Sequence, residues 1–301
     1  MTSESNKDAV EKAENKDVEY NLPRNDAAEH ARLDDQAAGY TDLMKGKIIH
    51  APLESPTKIL DVGCGTGIVT RHLGSAYPSA SVYGVDISPV PPATASGAVS
   101  KTPPNVEFIV GDIRKLAGDD RRLKAGMFDC IFQRLLICGM IDWQSYISQM
   151  TTLLRPGGWL EIHDYAEFWF NTKDSDRAIS AGWKWQHAIR RGAAQLGLDL
   201  DIGLHAEEYM RAAGLVDVKV EKYFVPIGTW MADERPETRR IGAHQDQDLG
   251  PVFSETILPG VTRKLGLGKA EMEELKDECR RCLKGEEGKY CWFYVTVGRK
   301  E

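Results

Sequence analysis

Short apolar runs recur through the first half of the chain, each closed by an acid, a glycine or a proline. They are Lys58-Ile59-Leu60-Asp61-Val62, Ser81-Val82-Tyr83-Gly84-Val85-Asp86, Val106-Glu107-Phe108-Ile109-Val110, Phe128-Asp129-Cys130-Ile131-Phe132-Gln133 and Trp159-Leu160-Glu161-Ile162. Runs this short and this apolar predict strands buried on both faces, as in a parallel sheet. Segments at helical spacing lie between them. Ile68, Val69 and Leu73 follow the first run and stop near Tyr77-Pro78. Ile147, Met150 and Leu154 follow the fourth, behind a cap at Asp142, and stop at Arg155-Pro156-Gly157-Gly158. Strand and helix in alternation predict an α/β fold: a Rossmann-like, doubly wound, mostly parallel sheet with helices on both faces.

Beyond the fifth run the pattern changes. Phe168-Trp169-Phe170 and Trp183-Lys184-Trp185 bracket the start of a helix with Trp185, Ile189, Ala193 and Leu196 at helical spacing. Most of that stripe reads as core, and aromatic residues just after the fifth strand are placed to wall a pocket for a large apolar molecule. His205 to Ala213 predicts a helix stopped by Gly214. Val216, Val218 and Val220 alternate with Asp217, Lys219 and Glu221, as in a half-buried strand. Pro226 to about Pro259 has little periodicity and predicts a lid or extended loop. Met272, Leu275, Cys279 and Cys282 share one helical face, so Cys279-x-x-Cys282 reads as core rather than half a zinc site, and no metal is expected. Tyr290 to Val297 is apolar on both faces, as a strand inserted within a sheet would be.

The chemistry concentrates after the first strand, where Asp61-Val62-Gly63-Cys64-Gly65-Thr66-Gly67 alternates glycine with other residues. Such glycines let backbone and ligand approach without an intervening Cβ, and a helix N-terminus follows. Asp86, closing the second strand, is placed for ribose hydroxyls, which predicts an adenosine-containing ligand. A dinucleotide fingerprint needs a further glycine where Ile68 stands. Asp61 would also oppose a pyrophosphate but suit an ammonium or a sulfonium. S-adenosylmethionine carries both cations and no phosphate.

Composition narrows the partners. With 42% hydrophobic and 28% charged residues the chain has apolar material for a sizeable core. A net charge of −7 argues against a phosphate-tracking basic face, so no direct nucleic-acid partner is expected. No stretch approaches the roughly 18 apolar residues of a membrane span, so no membrane partner is expected either. The first residues lack a signal-peptide pattern and six cysteines are scattered, which predicts a cytoplasmic protein with reduced thiols. Residues 1–19 are polar and charged and predict a disordered tail. One domain is expected over 20–301, with a cofactor-binding core at about 56–165 and cap elements at 20–50 and 166–288. Asp26 caps a predicted helix bearing Ala27, Ala28, Glu29, Ala31, Leu33 and Ala37, which either packs on the sheet edge or closes over the cofactor.

The Asp61 to Gly67 stretch resembles motif I of class I S-adenosylmethionine-dependent methyltransferases. Tyr20-x-Leu22-Pro23-x-x-Asp26-x-x-Glu29-x-x-Arg32-Leu33-x-x-Gln36 is similar to the N-terminal signature of the LaeA-like fungal methyltransferases, departing at Ala37, where many members carry a histidine. Asp142 to Tyr165, Ile227-Gly228-Thr229-Trp230, Ile241-Gly242 and Val297-Gly298-Arg299-Lys300 resemble the same family. The resemblance implies a seven-stranded sheet with its last strand antiparallel, a helical N-terminal lid and C-terminal cap insertions. It implies S-adenosylmethionine as cofactor, held by Tyr20, Asp61, Gly63, Cys64, Gly65, Gly67, Asp86, Ile87, Asp112, Ile113, Gln133 and Arg134. Of these, Asp112 matches the position that contacts the adenine amino group, and Gln133 and Arg134 lie near the methionine end. Two functions are implied. One is N- or O-methylation of a small-molecule acceptor, a fungal secondary metabolite. The other is a mainly nuclear, LaeA-like regulator acting through protein partners of the velvet type. His163, expected at the end of the fifth strand, is the candidate catalytic base for a hydroxyl acceptor. Its competing readings are a hydrogen bond to a neighbouring strand end or packing against Tyr165.

Overall fold

Seven strands form one sheet in the computed structural model, which describes residues 27–93 and 101–301. They are β1 (Lys58–Val62), β2 (Ser81–Asp86), β3 (Val106–Val110), β4 (Phe128–Arg134), β5 (Leu154–Asn171), β6 (Leu215–Pro226) and β7 (Lys289–Lys300). Their spatial order is β3-β2-β1-β4-β5-β7-β6. The first five pair in parallel, and β7 runs antiparallel to both β5 and β6. This is the mostly parallel sheet with an inserted last strand that the apolar runs predict. The chain winds outward through β2 and β3, then returns to place β4 on the other side of β1. Ligands bind at such a reversal, beyond the carboxyl ends of the strands. The register Val62↔Gln133 and Val62↔Val85 brings the ends of β1, β2 and β4 to one edge.

Helices α1 (Ala27–Leu43), α2 (Ile68–Ala76), α3 (Ile113–Leu116), α4 (Trp143–Leu153), α5 (Lys184–Leu196) and α6 (Ile202–Ala212) surround the sheet. The Asp142 side chain accepts from the Ser145 N–H at 3.2 Å and so caps α4 as its position predicts. The core lies on both faces of the sheet, with Ile59, Leu60, Ile131 and Leu160 fully buried. No helix among the described residues is long and apolar enough to cross a membrane. Residues 1–19, Tyr20 and Asp26 lie outside the described residues.

Two expectations change. The fifth strand does not end at Ile162. Its pairing with β7 continues from Trp159↔Arg299 through His163↔Val295 to Asn171↔Lys289, so the partner strand prolongs it past the run that sequence marks. Nor is Pro226 to Pro259 an extended loop. From Arg239 it is helical: α7 (Arg239–His244), a π turn over Gln245–Leu249, α8 (Gly250–Val252), a second π turn over Phe253–Ile257, and α9 (Leu258–Thr262). π turns bond i→i+5, so inward positions in this segment drift off the 3.6-residue period that marks an α-helix. Helix α10 (Lys269–Leu283) follows and buries Leu275, Cys279 and Leu283.

Candidate functional site

The glycine turn joins β1 to α2 with positive φ at Gly63 (67°), Gly65 (54°) and Gly67 (73°). Their surroundings differ. A Cβ on Gly63 would meet Leu136 at 2.3 Å, and one on Gly67 would meet Phe108 at 2.7 Å. A Cβ on Gly65 would meet nothing within 4 Å, so this glycine faces open space at the sheet edge. Asp86 shapes the turn, accepting from the Gly65 N–H at 2.8 Å and the Ser88 N–H at 2.9 Å. Cys64 is buried in the turn, and burial pushes its thiol up.

Beneath the turn, Asp61 is buried and accepts from the Thr70 hydroxyl at 2.6 Å. Burial pushes its carboxyl up to about 7, so a cation arriving there would draw it back to the ionised form. On the adjacent strand, Gln133 is fully buried with both side-chain amide atoms unpartnered. The Arg134 guanidinium lies 5.2 Å from the centre of the Tyr40 ring. At the far side Ile87 is partly exposed and Ile113 buried. Asp112 caps α3 and pairs with Arg114 at 2.8 Å. Burial raises its carboxyl, but the Arg114 hydrogen bonds outweigh that and hold it below the usual range. Apart from Tyr20, these positions lie in or just beyond β1 to β4. An open glycine face, a buried acid poised for a cation and an orphaned amide fit an aminoacyl-adenosyl cofactor such as S-adenosylmethionine.

His163 is not among the residues that line the cavity at the end of β5. It is fully buried in mid-β5, opposite Arg134 and Val295, because β7 extends the strand past it. Its Nε2 lies 2.6 Å from Glu161, and its ring packs between Phe132 and Phe293. Glu161 also accepts the N–H groups of His50 at 2.8 Å and Ala51 at 2.8 Å. Burial alone would raise the Glu161 carboxyl, but the His163, His50 and Ala51 bonds outweigh it and bring it to about 2. Burial holds the His163 imidazole down at about 4, so a neutral ring donates to an ionised carboxylate. The donor atoms of His50, Glu161 and His163 lie within 4.8 Å of one another, a spacing these hydrogen bonds occupy. This is a clamp that fixes the 50–51 segment to the sheet, and the assignment of His163 as base is corrected accordingly.

A cavity of about 130 Å³ opens at the end of β5. Its walls come from α1 (Arg32, Leu33, Gln36), the segment after β4 (Leu135, Ile137, Cys138), β5 (Tyr165, Glu167, Trp169) and the π-turn segment (His244, Gln245, Asp248, Leu249, Phe253). Of the expected aromatic wall only Trp169 reaches the lining. Trp183 and Trp185 back it, each with ring centroids 5.5 Å from it. Tyr165 is a hydrogen-bond hub, receiving the Tyr40 hydroxyl at 2.6 Å and the Gln245 amide at 2.8 Å. Sequence reasoning passed over Glu167, His244 and Gln245. The available signal was four-residue spacing: His244, Asp248 and Val252, and Gln245, Leu249 and Phe253, all line the cavity.

A methyltransferase-domain family matches residues 59–158. The chain is 31% identical over 218 residues to methyltransferase pytC of Aspergillus terreus, an alignment covering 72% of this chain and 63% of that protein. It is 30% identical to methyltransferase str2 of Strobilurus tenacellus, covering 67% of this chain and 69% of that one. It is 27% identical to the secondary metabolism regulator LAE1 of Cochliobolus heterostrophus, covering 72% and 68%. The glycine turn and its acids lie inside the matched domain, and the chain belongs to the S-adenosylmethionine-dependent methyltransferases, in the LaeA-like group that these fungal proteins represent.

Proposed function

We propose that the chain transfers a methyl group from S-adenosylmethionine to a small-molecule acceptor held in the cavity at the end of β5, in fungal secondary metabolism. Residues 56–165 act as the cofactor-binding core, and elements within 20–50 and 166–288 as the cap. The observation that carries the reading is proximity along the chain: Leu135, which lines the cavity, directly follows Gln133 and Arg134 at the carboxyl end of β4. When bound, the sulfonium supplies an already activated methyl group. The chain's own residues then have to hold the cofactor, orient the acceptor and exclude water, and positioning alone is worth about 7–11 kcal/mol. Asp61 meets the cationic end, Asp86 the ribose, and the open face of Gly65 admits the ligand between them.

Helix α1 ties the two halves together. Asp34 accepts from the Thr66 hydroxyl of the glycine turn at 2.6 Å, Leu33 lines the cavity, and Tyr40 bonds Tyr165. This supports a closing role rather than simple edge packing. An amine acceptor needs little further help, whereas a hydroxyl needs a base. The imidazole at the cavity wall is His244, whose Nδ1 lies 3.0 Å from an Asp248 oxygen. Burial is the main cause that lowers its pKa and leaves the ring neutral, and the opposing pull of Asp248 is what would support the imidazolium once a proton arrives.

The test is to incubate purified protein with methyl-labelled S-adenosylmethionine and fungal small-molecule fractions. Label should pass to an extractable product, and Gly65→Val should abolish both transfer and S-adenosylhomocysteine binding. Cofactor binding without transfer to any fraction, together with stable capture of a protein partner, would favour the regulator reading, which the identity to LAE1 supports.

A further inference from the structure

Three buried polar atoms in the cavity wall have no hydrogen-bond partner: Glu167 Oε2, Trp169 Nε1 and His244 Nδ1, which sits near Asp248 but out of hydrogen-bond line. Their residues are 6%, 3% and 3% exposed, so solvent does not replace the missing partners. Orphaned polar groups are costly in an apolar setting, and in native proteins they are answered by water or by a ligand. Glu167 is the most firmly built of the three. Its backbone carbonyl accepts Gln186 Nε2 at 2.6 Å and Arg190 Nη2 at 2.9 Å, which fixes the residue against the cavity. The obvious counter-charge is committed elsewhere, since Arg190 pairs with Asp201 at 2.7 Å and covers the Phe168 ring.

We propose that Glu167 reads the methyl acceptor, and that the cavity takes an uncharged, ring-sized apolar molecule whose hydroxyl or carbonyl oxygen bonds the Glu167 carboxyl. The inference rests on the acceptor reading given above and names the class of substrate for it. Volume supports the class: a dry cavity of roughly 150 Å³ accommodates benzene. The remaining wall is largely apolar, from Leu33, Leu135, Ile137, Leu249 and Phe253. Charge supports it too. Burial pushes the Glu167 carboxyl up to about 8, with Arg190 opposing and Asp201 and Asp164 adding to the rise. At neutral pH the resting group therefore donates a hydrogen bond to an uncharged oxygen, whereas an ammonium would have to be stripped of water in a largely apolar wall and ionise Glu167 against its burial.

The titratable and charged neighbours are Asp164 and Tyr165 on the same strand, Arg190 of α5, Asp201 ahead of α6, and the thiols of Cys138, Cys279 and Cys291. Arg32, His244 and Asp248 share the cavity wall. Burial raises the thiols, and His244 is already neutral above its lowered pKa. Asp164 is pushed up to about 8 as well, mainly by burial, but it bonds the Leu136 N–H and does not line the cavity.

The test uses protein saturated with S-adenosylhomocysteine, whose binding is first measured by calorimetry, and then 4-methylphenol as probe against 4-methylbenzylamine, a cation of similar shape. At pH 6.5 the phenol should bind saturably and the amine at least tenfold more weakly. Glu167→Gln, which keeps a neutral hydrogen-bonding group, should hold phenol affinity within about threefold, and Glu167→Ala should lose about tenfold. Raising the pH to 9 should weaken binding of acetophenone, whose carbonyl oxygen can only accept, about tenfold in the parent protein as Glu167 ionises, and should leave its binding to Glu167→Gln unchanged. Acetophenone has no titrating group over that range. Equal binding of the amine, a parent protein indifferent to pH, or the same pH dependence in Glu167→Gln would overturn the proposal. So would no phenol binding to protein that has bound S-adenosylhomocysteine. Failure of S-adenosylhomocysteine itself to bind would instead overturn the cofactor reading on which the proposal stands.

Discussion

Glu161 and Glu167 are both buried in β5, and their surroundings drive them to opposite charge. Glu161, in mid-strand, collects hydrogen bonds from His163, His50 and Ala51 and is ionised. Glu167, near the cavity, has an oxygen that nothing in the fold satisfies, and it is neutral at pH 7. Burial is the largest single influence on each, and it acts in the same direction on both. What separates them is the number of donors aimed at the carboxylate. The two histidines differ in place rather than in partners: the Nδ1 of each is unpartnered, but His163 holds Glu161 through Nε2 in mid-sheet, whereas His244 stands at the cavity wall. A buried carboxylate with its donors in place holds a fold together, and a carboxyl at a cavity wall with a partner missing is prepared for a ligand.

The largest expected effect breaks the histidine half of this contrast. For a hydroxyl acceptor, His244→Ala should lower the chemical step by about 10²–10⁴-fold with S-adenosylhomocysteine affinity unchanged. His163→Asn should change turnover little among the molecules that stay folded, while costing stability. Single-turnover kinetics on both variants distinguish the roles, and an equal loss of turnover in the two would erase the contrast. Next comes the acid half. Glu161→Ala strands the neutral donors of the clamp and should cost about 1–3 kcal/mol for each that stays unsatisfied, read from urea unfolding. Glu167→Gln should stay within about 1 kcal/mol of the parent, because it exchanges one neutral group for another.

Stability against pH should differ in sign at the two acids. The folded pKa of Glu161 is depressed to about 2, so its contribution is present above the ordinary carboxylate range and is lost as pH falls toward 2. The folded pKa of Glu167 is raised to about 8, so its contribution is present at acid pH and is lost as pH climbs through 8. Asp61, raised to about 7, and Asp164, raised to about 8, add to that alkaline loss. Urea midpoints at pH 5 and pH 8.5 should therefore fall less in Glu167→Gln than in the parent. The smallest effect concerns α1. Thr66→Val removes the hydroxyl that donates to Asp34, and it should weaken cofactor affinity by about 0.5–1.5 kcal/mol in calorimetry. No change at all would reduce that bond to packing.

The clamp and the cavity also mark where sequence stops being informative. The parallel strands are legible because each is a short apolar run, and the glycine turn because positive φ and ligand approach restrict residue choice locally. Asp61, Asp86 and Gly65 could be placed from neighbours along the chain. His163 could not. Its environment is set by β7, a strand more than a hundred residues away in sequence, which extends β5 and buries the histidine. Glu167 lies in that same extension. The segment carrying His244 and Gln245 reads poorly for a different reason: its π turns shift inward positions off the helical period and leave a four-residue spacing as the one trace of its inner face.

The contrast between Glu161 and Glu167 is tested most directly by a carboxyl titration. Protein labelled with ¹³C at the glutamate side-chain carboxyl is followed by NMR from pH 3 to 9.5, with Glu161→Gln and Glu167→Gln assigning the two signals. The structure predicts that the Glu161 signal stays that of a carboxylate down to the acid end of the range. It predicts that the Glu167 signal is that of a protonated acid at pH 6.5 and moves with a midpoint about 8. If both signals titrate together in the ordinary carboxylate range, the distinction between a clamp and a waiting site is contradicted.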